Sequence, residues 1–447
     1  MKDNKDLKYI VTIILLGIIL VGLWILLINN NNNKKIGNEN NMGGPSMNNN
    51  TQISYSAVKE ITSEEEITSG EYQSTNADEN VISVSGTKAS LSGITVTKKG
   101  DSNGGDNTSF YGTNSAIIAK DGANLTIENT NIETNATGAN GVFSYGGSAT
   151  TNNTASDNTT INISNSTITT TKDNSGGIMT TGGGIMNAKN LTINTAGTSS
   201  AAIRSDRGGG TVIVEEGTYK TTGKGSPAIY STADITVKDA TLIATASEGV
   251  VIEGKNSVTL ENVELTDTNN QLNGQSTTYK NIFIYQSMSG DAAEGEATFT
   301  AKASTITTNQ GDSFYVTNTT ATINLENNTI INNDSTGNFL RIQKDSWGAS
   351  GSNGGILTLN LKNQEASGRI VVDSLSKLTM NLSNNSAFTG EINTTNEGEV
   401  NISLDETSSI TLTGDTYIKS LSNKDSANEN INLNGYKLYI DGVLFTK

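Results

Sequence analysis

The chain has no cysteine and no histidine in its 447 residues. Without thiols there is no disulfide framework, no thiolate metal site and no thiol nucleophile. Without imidazole there are no serine triads, no histidine acid–base chemistry and no histidine metal ligands. Any catalysis would fall to Asp, Glu, Lys, Arg, Tyr or Ser. Proline occurs twice, aromatic residues make up 5 %, apolar residues 34 % and charged residues only 17 %. That is thin for a globular enzyme core, yet too weakly charged for a typical disordered chain. Positive charge is also short: 29 basic against 45 acidic residues leave −16. Residues 1–52 hold five lysines against three acids, so −16 − 2 = −18 falls on the remainder. An acidic body argues against a nucleic-acid partner or an anionic membrane surface.

What fills the chain instead is Asn, Thr, Ser and Gly. Threonine suits exposed strand faces, and Asn and Gly suit corners that need positive φ. Ahead of this body, Tyr9–Ile28 reads YIVTIILLGIILVGLWILLI, 20 residues without a charge. At about 1.5 Å per residue that run crosses a hydrocarbon core of about 30 Å. Lys2, Lys5 and Lys8 precede it and Trp24 lies near its far end, which favours an inside N-terminus and an outside body. No small-x-small cleavage site follows, so an uncleaved anchor is preferred to a signal peptide. The expected order is a cytoplasmic tail (1–8), a transmembrane anchor (9–28) and an Asn-rich spacer (29–52). An N-terminal cap (53–80), a β-helix (81–398), and C-terminal coils with a cap (399–447) follow. The expected location is the cell membrane, crossed once, with the body extracellular.

The body repeats. Ala202-Ile203-Arg204-Ser205 returns as Ala228-Ile229-Tyr230-Ser231 and as Val250-Val251-Ile252-Glu253. The unit Pro227–Glu248 holds three short β-type runs in 248 − 227 + 1 = 22 residues. Such a unit cannot bury its own apolar face and must stack on copies of itself. Aligning the leading phrase along the chain gives an apolar second position: Ile82, Ile117, Phe143, Ile178, Ile203, Ile229, Val251, Phe283, Tyr315, Leu340 and Ile370. This column is expected to be the inward ladder of one sheet. A second run of the form Leu125-Thr126-Ile127 follows in most coils, and a third, such as Thr241-Leu242-Ile243, in many. Apolar–polar–apolar alternation turns the outer two residues of such a triplet inward. The expected fold is all-β: a right-handed parallel β-helix, a solenoid of about eleven to thirteen coils. Longer coils need only surface loops, at Lys98–Asn114, Ser148–Thr160, Asp267–Lys280, Ser287–Glu296 and Ser346–Asn353. Because coils differ in length and content, the threonine runs are not expected to build one wide regular face.

The strings Ser200–Gly210, Ser226–Ala233, Ser247–Val258 and Ile284–Ala292 (IYQSMSGDA) resemble bacterial secreted or membrane-anchored β-helix proteins. These are adhesin-like surface proteins with the shape of the pectate-lyase-like superfamily. The resemblance covers roughly residues 80–445. It implies a surface location and contact with carbohydrate or host, and it implies no established activity. The lyase motifs of that shape have no residue-by-residue match here, so no catalytic role is carried over.

If the phrases stack in register, Arg204, Tyr230 and Ile252 share a column, and Asp206, Arg207, Glu253, Lys255 and Tyr285 gather beside it. Three rungs at about 4.8 Å bring these groups within about 10–15 Å. Together they make a surface able to bind a sugar, or a salt-bridge network on a solenoid face. The leading expectation is an adhesin-like surface protein that binds an extracellular partner, a carbohydrate, through Arg204, Asp206, Arg207, Tyr230, Glu253, Lys255 and Tyr285. The alternatives are a polysaccharide lyase or hydrolase, and a passive rod of the cell envelope. No catalytic residue, no metal ligand and no cofactor are assigned. Ca2+ is the one candidate ion, since Asp101–Asp106 resembles the start of a calcium loop but lacks its closing Glu.

Overall fold

The computed structural model describes residues 53–102, 105–147 and 156–446. The expected tail, anchor and spacer lie outside the described residues. Among the described residues no helix is long and apolar enough to cross a membrane.

Among the described residues, strands cover about 52 % and helix about 1 %. They form a 15-stranded sheet, here sheet A, and a 22-stranded sheet, here sheet B, with a small three-stranded sheet near the C-terminus. Pairing is parallel throughout sheets A and B. This repeated architecture fits a parallel β-helix or solenoid. Sheet B is two ladders joined edge to edge. The first runs from Glu65–Ile67 to Ser420–Asn423, and the second from Gly70–Ser74 to Thr329–Asn332. The 12-residue strands Gly184–Thr195 and Gly210–Thr221 belong to both. Residues 57–74 already form a full rung, each run pairing with the coil above.

The alternation seen in the sequence is the reason for the elements. Val258-Thr259-Leu260 places Val258 and Leu260 in the bore and Thr259 outside. The bore is aliphatic, with an aromatic series in its C-terminal half. Phe299, Phe314, Phe339 and Phe388 stand 5.4–6.1 Å apart, ring centre to ring centre. Such offset contacts add to the burial of the rings.

The two ladders of sheet B are joined by at most two residues per coil, the first in the left-handed region. Asn129, Asn165, Asn190, Asn262 and Asn327 have φ of 48–55°. Asn tolerates that conformation because its short side chain bonds locally. Asn190 donates to Asn165 at 2.8 Å, one corner onto the next. Among the described residues, insertions occur only on the two sides flanking sheet A. The one at 99–116 contains the short helix α1, Asp106–Tyr111, where a plain loop was expected. Because the insertions sit off sheet B, coils of unequal length still stack in strict register. Thr167, Thr192, Thr218 and Thr241 form four consecutive rungs. The column breaks to Asn131 before and Glu264 after, and the neighbouring outward column mixes Thr169, Asn194, Lys220 and Ile243, so unequal content, and not unequal length, keeps the threonines from one wide face.

Sheet A corrects the alignment of four coils. Val142, Val250, Ile282 and Phe314 continue the inward column of Ile178, Ile203, Ile229 and Leu340. Phe143, Val251, Phe283 and Tyr315 instead point outward. A one-residue slip turns every side chain to the opposite face. The sequence hid the slip because these outward residues are apolar and buried too, in two clusters on the outer side of the sheet. Two adjacent apolar residues leave alternation unable to say which is core. The same slip moves Ile252, which pairs with Ser231, while Tyr230 pairs with Val251.

Candidate functional site

The outward column of sheet A reads Ile118, Phe143, Met179, Arg204, Tyr230, Val251, Phe283 and Tyr315. Apolar side chains on an outer face need a cover. The α1 segment supplies one at the N-terminal end, where Thr181 donates to the Phe110 carbonyl at 2.7 Å. At the other end, Trp347 packs against Phe283 and Tyr285, each at 5.2 Å. Lys280 is fully buried there. Its ammonium lies 4.2 Å over the Phe283 ring, 3.7 Å from Glu248, and donates to Ser276 Oγ and the Thr278 carbonyl. Burial pulls the Lys280 pKa below its ordinary value, against the pull of Glu248. The insertion at 267–280 is thus pinned down at its base.

Between the two covers the column turns polar, at Arg204 and Tyr230, and a cleft of about 310 Å³ opens. Its floor carries Arg204, Asp206, Tyr230 and Tyr285. One wall is the corner before sheet A, with Asn174, Ser199 and Gly225 from three successive coils and Asn273 against Gly225; Asp291 lines the cleft from the insertion after sheet A. Gly225 sits at φ 60°, and a Cβ there would lie 2.3 Å from Asn273 Nδ2. Only glycine lets the 267–280 insertion close over this corner.

The charged groups form one network. Arg204 Nη2 donates to Asp206 Oδ2 at 2.9 Å, and Arg204 Nη1 to the Ser199 carbonyl at 3.3 Å. The other Asp206 oxygen accepts the Arg207 backbone N–H at 2.9 Å. Arg207 donates to Asp291 at 2.6 Å and lies 4.0 Å over the Phe110 ring. Asp291 accepts from Ser289, Ser287 donates to Glu253, and the two serine hydroxyl oxygens lie 2.8 Å apart. Glu253 also accepts the hydroxyls of Tyr230, at 2.5 Å, and Tyr285, at 3.1 Å.

Burial sets the protonation states. It raises Asp206 to about 6, a rise that the Arg204 charge opposes and Asp291 reinforces. Burial, and then the Glu253 carboxylate, push Tyr230 and Tyr285 well above the ordinary phenol range. Both phenols therefore keep their protons and donate to Glu253, which fixes the two rings while leaving ring surface on the cleft.

Of the seven residues singled out from the sequence, Arg204, Asp206, Tyr230 and Tyr285 line the cleft. Glu253 stands behind the tyrosines and Arg207 behind Asp206. Lys255 is apart: it is exposed, beside Gly295, and its backbone N–H pairs with the Ala293 carbonyl. Sequence reasoning missed Ser287, Ser289, Asp291 and Asn273. The first three were within reach, because Ser287-x-Ser289-x-Asp291 places three polar groups at alternate positions of one short insertion. Asn273 left no signal, since nothing in its surroundings says where a long insertion folds.

Among the described residues no three acidic side chains gather closely enough to hold a metal ion. In the segment resembling a calcium loop, Asp101 accepts the Thr137 backbone N–H at 2.7 Å. Comparisons with protein-family models, curated proteins and solved structures find no match to this chain.

Proposed function

We propose that the chain is an anchored surface protein whose right-handed parallel β-helix binds a small, uncharged sugar unit in the sheet A cleft. The observation that carries this reading is the cleft itself. It combines an Arg–Asp pair, two tyrosine rings locked by a shared carboxylate, and side-chain amides at the rim. Planar polar pairs and fixed aromatic faces are what hydroxyl groups and C–H faces of a sugar require. The volume lies at the small end of ligand sites, enough for one or two sugar rings. Two arginines against Asp206, Glu253 and Asp291 give 2 − 3 = −1, so an acidic sugar is disfavoured. The anchor at 9–28 and the spacer at 29–52 would hold the body outside the cell.

The test is a glycan array probed with the full chain, followed by titration of any hit. Neutral sugars should bind, and Arg204→Ala and Glu253→Ala should each weaken binding by at least ~10-fold, about 1.4 kcal/mol. An empty array, or variants that bind as the parent does, would sink this reading.

A further inference from the structure

Sheet B carries a pattern that the cleft does not use. On its first ladder, just before the left-handed corner, one outward column reads Lys189, Glu215, Lys238, Glu261, Lys302, Glu326 and Lys362 on seven successive rungs. The signs alternate without a break. The column ends at both sides in uncharged Ser164 and Ser383. Within the chain, Lys189–Glu215, Lys238–Glu261 and Lys362–Glu326 lie at 3.5, 3.0 and 3.2 Å. Half-exposed pairs of this kind contribute little to stability. Avoiding like neighbours explains pairs, but leaves seven rungs in one alternating series more than folding requires.

The surface beside the series carries no loop among the described residues. The adjacent outward column is mostly Thr and Asn, and Asn381, Asn360 and Asn324 are tied amide to amide at 2.9 Å. No insertion crosses the corner, which has at most two residues per coil. Small polar ladders of this type pack closely against one another.

We infer that this face binds a second copy of the chain, antiparallel, with charge column on charge column. Two identical faces can meet about a two-fold axis lying in the interface. With that axis along the solenoid, the column meets itself rung on rung, like on like, or misses itself. With the axis along the strands, the column meets itself in reverse order. When the axis lies midway between the Lys238 and Glu261 rungs, Lys238 faces Glu261, Glu215 faces Lys302 and Lys189 faces Glu326, each twice. All six contacts join opposite charges. Midway between Glu261 and Lys302, six opposite contacts form again. An axis on a rung makes every contact repulsive, so the alternation selects both orientation and register. Seven rungs at about 4.8 Å by five residues at about 3.4 Å give roughly 500 Å² per copy. That is roughly 1,000 Å² in total, the threshold for a specific interface, and more when further rungs join.

The experiment is sedimentation velocity on the full chain over a concentration series, at ~50 mM and ~1 M salt. A dimer at low salt that dissociates at high salt is expected. Lys238→Glu with Lys302→Glu places five glutamates in a row and should weaken dimerisation at least ~10-fold. Inverting all seven signs preserves the alternation and should restore it, which separates pairing from a mere folding defect. Orientation is read by engineered thiols, since the chain has no cysteine of its own. Thr259→Cys should cross-link to Thr236→Cys or Thr300→Cys and not to itself. A monomer at every concentration in low salt, or Thr259→Cys linking chiefly to itself, overturns the proposal.

Discussion

The outer face of sheet A and the outer face of the first sheet B ladder have the same backbone and opposite chemistry. On sheet A the outward column passes through Met179, Arg204, Tyr230, Val251, Phe283 and Tyr315. On sheet B the matching column passes through Asn187, Ile213, Thr236, Thr259, Thr300 and Asn324. Large apolar residues outside the bore must be covered, and the insertions at 99–116, 267–280 and 346–353 do so. Small polar residues need no cover, and no insertion crosses the corner at that ladder's edge. The cleft lies where two covers stop short of one another. In this molecule the cleft is thus the gap left by two separate needs for burial, and a bare face is what remains where no such need exists.

The sharpest way to test that contrast is to remove one aromatic ring from the inner side of sheet A and one from its outer side. Phe314 points into the bore between Phe299 and Phe339, and Tyr315 points outward under the covers. Phe314→Ala should cost about 3–5 kcal/mol, measured by denaturant unfolding. Phe283→Ala, in the outer cluster, should cost less, since its cover can relax, but should speed hydrogen exchange across residues 267–280. Equal losses for both, with no change in exchange, would mean that the outer cluster is ordinary core.

Asp206 gives the next largest effect. Its pKa is raised from an ordinary value near 4 to about 6 by burial. Between those values the unfolded chain has lost the proton and the folded chain still holds it. Stability from this group is therefore complete below pH ~4 and is lost as pH climbs through ~6, by roughly 3 kcal/mol at 1.36 kcal/mol per unit. Asp206→Asn keeps one acceptor oxygen, for either Arg204 or the Arg207 N–H, cannot titrate, and should flatten that dependence. A stability curve equally steep between pH 4 and 6 in the variant would assign the effect elsewhere.

The uneven legibility of the chain follows from the same contrast. Val258-Thr259-Leu260 can be read directly, because bare strands alternate without ambiguity. Phe283 and Tyr315 could not, because apolar residues on both faces erase the alternation, and the register slipped by one. Arg204, Tyr230 and Glu253 stood out because charge and phenol are rare among the leading phrases. Their assembly with Asp291 and Asn273 depends on how insertions fold back, which no local period encodes. The Lys–Glu series of sheet B was present in the sequence, but only a fixed register brings its seven members into one column.

Gly225 tests the cleft wall with a smaller change. Its φ of 60° disfavours any side chain, and a Cβ there meets Asn273. Gly225→Ala should cost about 1–2 kcal/mol in thermal unfolding. It should also weaken ligand binding, because the amide at the rim must move. Unchanged binding in a destabilised variant would place Asn273 outside the recognition surface.

The smallest effect is expected on the bare face. Thr259 is flanked by Thr236 and Thr300 on neighbouring rungs, and it is half-buried on the outer face. Thr259→Val keeps the β-branched shape that suits a strand and removes only the hydroxyl. Stability should stay within about 0.5 kcal/mol of the parent, and cleft binding should not change. If this substitution instead cost as much as Gly225→Ala under dilute conditions, the threonine column would be serving the fold and not merely occupying its surface. The contrast between a covered and a bare face would then have to be redrawn as one between two load-carrying faces, only one of which needs loops.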